Sequence, residues 1–125
     1  EAGDADGVGE AAQFDCPTGV ALGPDRSAVF VADFGNHKIR RVEVATGAVT
    51  TVAGSGENGD ADGVGDAAQF CGPAGIALSS DGSALFVADY ENHMIRRVEV
   101  ATGAVTTLAG GGTMGSADGV GDAAQ

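Results

Sequence analysis

Short apolar runs separated by turn-forming residues set the rhythm of the chain. Gly19–Leu22 (GVAL) follows Pro17 and ends at GPDRS, Gly23–Ser27. Ala28–Asp33 (AVFVAD) is rich in β-branched and aromatic residues and closes at Gly35–Asn36. Lys38–Val44 (KIRRVEV) closes at Ala45-Thr46-Gly47, and Ala48–Ala53 (AVTTVA) runs into a glycine-rich connector, Gly54–Gln69. The same series recurs at Gly75–Leu78, Ala84–Asp89, Met94–Val100 and Ala104–Ala109. Runs this short, joined by tight turns, predict an antiparallel meander of four strands in each repeat. No segment has the 3.6-residue periodicity of a helix.

The recurrence is a true internal repeat. Phe14–Gln69 matches Phe70–Gln125 at 40 of 56 positions, and Gly3–Gln13 (GDADGVGEAAQ) repeats the connector Gly59–Gln69. A less close copy of the connector is Gly115–Gln125. This divides the chain into a partial connector of a preceding unit, 1–13, and two repeats, 14–69 and 70–125. A period of this length signals a propeller, solenoid or array. Strands that are apolar at both parities, as in Phe30-Val31-Ala32, fit a sheet covered on both faces. The expected class is therefore all-β, with each repeat one four-stranded propeller blade.

These residues resemble the NHL-repeat family of β-propellers. The resemblance is carried by Pro17-Thr18-Gly19-Val20-Ala21, Phe30-Val31-Ala32-Asp33, Asn36-His37-Lys38-Ile39-Arg40 and Gly47–Gly54. The connector Asp62-Gly63-Val64-Gly65 with Ala68-Gln69-Phe70 and Pro73 completes the pattern, which covers essentially the whole chain. The resemblance implies a propeller, often six-bladed, that serves mainly as a binding or scaffolding platform. A few members are enzymes, such as the peptidyl-hydroxyglycine lyases. Two blades cannot close a ring. Either further blades of the same chain or other copies of it complete the fold, and three copies would make six blades. The surplus Glu1–Gln13 favours a fragment of a longer repeat array.

Charge narrows the partners. The net charge of −12 is shared evenly, −4 in each of 1–13, 14–69 and 70–125. Such a surface repels phosphate backbones, so nucleic acid is not an expected partner. The apolar runs are too short for membrane insertion as a helix, and Glu1 opens without a signal-peptide pattern. Cys16 and Cys71 lie one position out of register and belong to no Cys/His cluster. Two readings stand, a Cys16–Cys71 disulfide or two separate thiols.

Arg40 and Arg96 share strand parity with the valines at 42, 44, 98 and 100, so their guanidiniums point into a packed face. A buried arginine needs a fixed acidic partner, and Asp33 and Asp89 are the candidates, within or between blades. Asn36 and Asn92 follow at turns, and His37 and His93, one per repeat, read as hydrogen-bonding posts. These eight residues are expected to pin the blades, with no catalytic role. The lyase-type relatives build a metal site from several histidines that have no counterpart here. The acidic connectors admit a second reading beside a plain turn. Asp4, Asp6, Asp60, Asp62 and Asp66 are hard oxygen donors around flexible glycines, as calcium requires. The third connector copy has Ser116 in place of the first Asp and keeps Asp118 and Asp122. No other cofactor is implied, and no phosphate loop or Asn-x-Ser/Thr sequon is present.

The expected function is a non-catalytic scaffold or protein-interaction module whose protein ligand the repeat signature does not encode. Two alternatives from other classes are a self-assembling component of an extracellular fibre or surface layer, and part of a lyase-like propeller enzyme. An extracellular or cell-surface setting is the favoured localisation.

Overall fold

In the computed structural model, residues 3–111 are described, so the third connector copy with Ser116, Asp118 and Asp122 lies outside the described residues. Ten strands among the described residues build two antiparallel sheets. The first contains β1 (Gly7–Val8), β2 (Pro17–Leu22), β3 (Ala28–Asp33), β4 (Lys38–Glu43) and β5 (Ala48–Ala53). The second contains β6 (Gly63–Val64), β7 (Pro73–Leu78), β8 (Ala84–Asp89), β9 (Met94–Glu99) and β10 (Ala104–Ala109). All eight long strands fall where the hydrophobic runs predict them. Boundaries differ by one or two residues: β2 and β7 already start at their prolines, and β4 and β9 stop at glutamate.

Local chemistry sets the turns. The Asp25 carboxylate accepts bonds from the Ser27 amide (3.0 Å) and hydroxyl (2.7 Å), closing the β2–β3 hairpin. Thr46 Oγ1 accepts from the Ala48 amide at 3.2 Å, and Gly47 supplies the positive φ of 75° that the β4–β5 turn requires. Between β3 and β4 the chain makes one 3₁₀ turn, Phe34–Asn36, and leaves it through His37 at φ 57°. The second blade repeats this with Tyr90–Asn92 and His93.

Each sheet has five strands where the sequence pattern predicts four. The order is β1-β5-β4-β3-β2 and, identically, β6-β10-β9-β8-β7. The additional strand comes from the connector. Gly7 and Val8 pair with Val49 and Ala48, and Gly63 and Val64 pair with Val105 and Ala104. Each connector therefore caps the outer edge of the blade that follows it. A sheet edge offers unpaired backbone groups, and the connector satisfies some of them. Repeat comparison alone has no access to this phase, since it matches equally well wherever the unit is cut. Residues 3–13, read from sequence as the tail of a preceding unit, are built into the first blade.

The blades pack face to face. Phe30, Ala32, Ile39 and Ala53 from one blade and Leu85, Val87, Val98 and Val105 from the other form one buried cluster with Ala68 and Phe70 of the connector. The first strands of the two meanders lie side by side, and the Thr18 hydroxyl donates to the carbonyls of Pro73 and Ala74. No helix among the described residues is long and apolar enough to cross a membrane.

Candidate functional site

In each blade a buried arginine ties the connector to the sheet. Arg40, on β4, is fully buried, and its Nη1 donates to Asp33 Oδ2 at 2.9 Å and to the Gln13 carbonyl at 2.8 Å. Its Nη2 donates to the Ala5 carbonyl at 3.1 Å and to Asp6 Oδ1 at 2.8 Å. The Phe14 ring centroid lies 5.0 Å from the guanidinium carbon. The second blade copies the arrangement. Arg96 reaches Asp89 and Asp62, each at 2.8 Å, the carbonyls of Gln69 and Ala61, and the Phe70 ring. Among the described residues, the buried side-chain polar atoms without a partner are Nε of Arg40 and of Arg96.

The aspartates are held as tightly. Asp33 Oδ1 accepts the Asp15 amide at 2.8 Å, and its Oδ2 accepts Asn36 Nδ2 at 2.8 Å beside Arg40. The second amide bond of Asn36 goes to the Gly3 carbonyl. In the second blade Asp89 takes the Cys71 amide and Asn92, and Asn92 also reaches the Gly59 carbonyl. Burial pushes the Asp89 carboxyl upward, against the bonds from Asn92, the Cys71 amide and Arg96. Each Asp–Arg pair lies within one blade, which decides between the two placements open at the sequence level. These bonds join the connector to the sheet in each blade.

The histidines diverge. His37 Nδ1 accepts the Gly72 amide at 3.0 Å, so it bridges the two blades. The His93 ring has no partner among the described residues. It lines a cleft of about 320 Å³ with Ala88, Met94, Ile95 and Ala109 on the outward face of the second blade. Ile95 is 42% exposed there and Tyr90 67%. This apolar face is the candidate interaction surface.

The acidic connectors find cations within the chain. Asp6 and Asp62 pair with the clamp arginines, and Asp4 pairs with Lys38 Nζ at 3.1 Å, which holds its carboxyl below the usual range. Asp60, with Met94 in the place of Lys38, and Asp66 make no ion pair among the described residues. No three acidic, histidine or cysteine groups converge as metal ligands among those residues. Cys16 and Cys71 are both free thiols and not a disulfide, and burial pushes the Cys71 thiol up. Sequence reading found the Asp–Arg pairs but missed Asp6, Asp62, Phe14 and Phe70 as their partners. The signal was a constant spacing: Asp6–Arg40 and Asp62–Arg96 are both 34 residues apart.

The NHL-repeat profile matches residues 14–42 and 70–97. Protein SUPPRESSOR OF QUENCHING 1, chloroplastic, of Arabidopsis thaliana is 40% identical over 101 residues, 81% of this chain and 9% of that protein. Human NHL repeat-containing protein 2 is 36% identical over 107 residues, 85% of this chain and 15% of that one. The chain thus spans a small part of the curated relatives it matches. Among solved structures, an auxiliary nutrient binding protein from Bacteroides thetaiotaomicron superposes with a TM-score of 0.66 at 27% identity, over 78% of this chain and 27% of that one. Enzymes share the fold: a virginiamycin B lyase from Staphylococcus aureus gives a TM-score of 0.56 at 21% identity, over 75% and 27%.

Proposed function

The chain belongs to the NHL-repeat family of β-propellers, and from that premise we propose that it is a non-catalytic interaction module, a pair of blades completed by further blades. The observation that carries this reading is the enclosure of the polar clusters, whose carboxylates and guanidinium Nη atoms are bonded inside their own blades. Asp33, Arg40, Asp89 and Arg96 are fully or almost fully buried and bonded within their blades, leaving sheet faces and loops as the surfaces available to a partner. A general acid or base must reach a proton of its substrate, and groups enclosed by their own connector have no such access.

Completion by blades is supported by the unequal state of two like faces. Ile39 and Ala53 are fully buried against the second blade, whereas Ile95, at the position matching Ile39, is open. The test is a chain extended at its C-terminus by one more copy of residues 70–125. The reading expects a higher midpoint of thermal unfolding and slowed amide exchange in β9 and β10. Unchanged exchange in those strands would count against it.

A further inference from the structure

The chain carries both halves of its own blade junction, one half at each end of the pair. The used junction sets Phe30, Ala32, Ile39 and Ala53 against Ala68, Phe70, Leu85, Val87, Val98 and Val105. The outward face of the second blade presents Phe86, Ala88, Ile95 and Ala109 at the matching positions, identical in all four. On the first blade, Ala12, Phe14, Val29, Val31, Val42 and Val49 match the other half, and only Val29 differs, being leucine at 85. Val20 and Leu22 on β2 are 67% and 51% exposed. Among the described residues no blade covers either face, although on the first blade Val31 and Val49 are already buried and Arg40 lies under its connector. We propose that the open face of the second blade docks the first blade of another copy of this chain, head to tail. The inference rests on the reading of the chain as blades completed by blades, and commits to a second copy as the partner.

The positions that differ between the repeats are matched across this junction. Within the chain, Gly82 comes against Pro24, and a Cβ on Gly82 would lie 2.6 Å from the proline Cγ. The first blade has Arg26 at the position of Gly82, and the second has Ser80 at the position of Pro24. In a docked pair the larger Arg26 therefore meets the smaller Ser80, and its guanidinium is brought beside the exposed Asp81. The second exchange is at Gly72, where a Cβ would lie 2.8 Å from Glu91 and 2.9 Å from the Phe34 ring. The matching residue of the first blade is Cys16, whose own-blade neighbour at the position of Glu91 is Gly35. Cys16 then has only the exposed Tyr90 ring to displace, a favourable sulfur–aromatic contact. Its amide would meet His93 Nδ1 as the Gly72 amide meets His37. The two contacts of the Thr18 hydroxyl have no counterpart, since Ala74, with no donor, stands at its position. Heterologous contacts of this kind close into rings or continue as filaments.

Light scattering of the 125-residue chain over a concentration series tests the docking. Masses of two or more chains, growing with concentration, are expected, with Ile95→Asp returning the protein to a single-chain mass while its far-UV β-sheet spectrum is kept. Arg26→Glu should raise the concentration at half-assembly by roughly fivefold, and Arg26→Glu with Asp81→Arg in one chain should restore it. An Ile95→Asp chain that still assembles overturns the proposal. So does a folded wild-type chain of single-chain mass at every concentration, an outcome that leaves the blade reading intact. A chain with no β-sheet spectrum would fail both.

Discussion

Ile39 and Ile95 hold the same place in the two blades, yet the first is fully buried and the second is 42% exposed. The difference does not lie in the residues, whose neighbours Phe, Ala and Ala are also shared. It lies in what comes next along the molecule. The second blade covers Ile39, and its connector residues Ala68 and Phe70 fill the seam. The arginine clamps show the opposite behaviour. Arg40 and Arg96 are both fully buried, although among the described residues a preceding blade packs on the blade of Arg96 alone. Each clamp is covered by its own connector and is therefore independent of the neighbour. The charge pairs are thus assembled within one blade and its connector, while burial of Ile39 and Ala53 needs the second blade.

The largest test of that contrast is Arg40→Ala against Arg96→Ala. Each leaves a buried aspartate without its cation and should cost about 3–5 kcal/mol in urea unfolding, equally in both blades. Loss confined to Arg96 would mean that the first clamp is not self-sufficient. Next is the apolar seam. Leu85→Ala should cost about 3 kcal/mol, and Val29→Ala, on the uncovered counterpart of that face, less than about 1 kcal/mol. Equal costs would remove the distinction between used and open junctions.

The histidines give a smaller effect. Alanine at φ 57° strains both sites alike, so the difference between His37→Ala and His93→Ala in dilute protein reads one bond. It should be about 1 kcal/mol, the cost of leaving the Gly72 amide without its acceptor. The smallest difference lies in the β-turn carboxylates. Asp81 accepts from the hydroxyls of Ser79 and Ser83 and from the Ser83 amide, which holds it at about 2. Asp25 is lowered chiefly by the hydroxyl and amide of Ser27 and lacks a second hydroxyl donor, since Gly23 stands where the second blade has Ser79. NMR titration should find Asp81 below Asp25. With a folded value below the unfolded one, the Asp81 turn contributes above about pH 4 and loses that contribution as pH falls through about 2. A higher midpoint for Asp81 than for Asp25 would contradict the bond count.

The eight long strands, the turns and the Asp33–Arg40 and Asp89–Arg96 pairs were legible in the sequence because each follows from local pattern. Alternation, turn residues and parity act over a few positions, and a repeat shows the same pattern twice. Arginine at the parity of Val42 and Val98 had to face inward, and an inward guanidinium had to find a carboxylate. The connectors were not legible in this way. Their Asp–Gly pattern suits a calcium loop as well as a strand edge, and only the fold brings Asp6 and Asp62 across 34 residues to the arginines.

What the sequence determined by itself is therefore the blade: its strands, its hairpins and the charge pair inside it. Tertiary structure decided three further things. It assigned each connector to the following sheet, because hydrogen bonding to β5 or β10 is a choice of edge that repetition cannot encode. It left Cys16 and Cys71 as separate thiols, because their distance depends on how the blades meet. It also made two identical faces unequal, since burial belongs to the pair of surfaces in contact and not to either one alone.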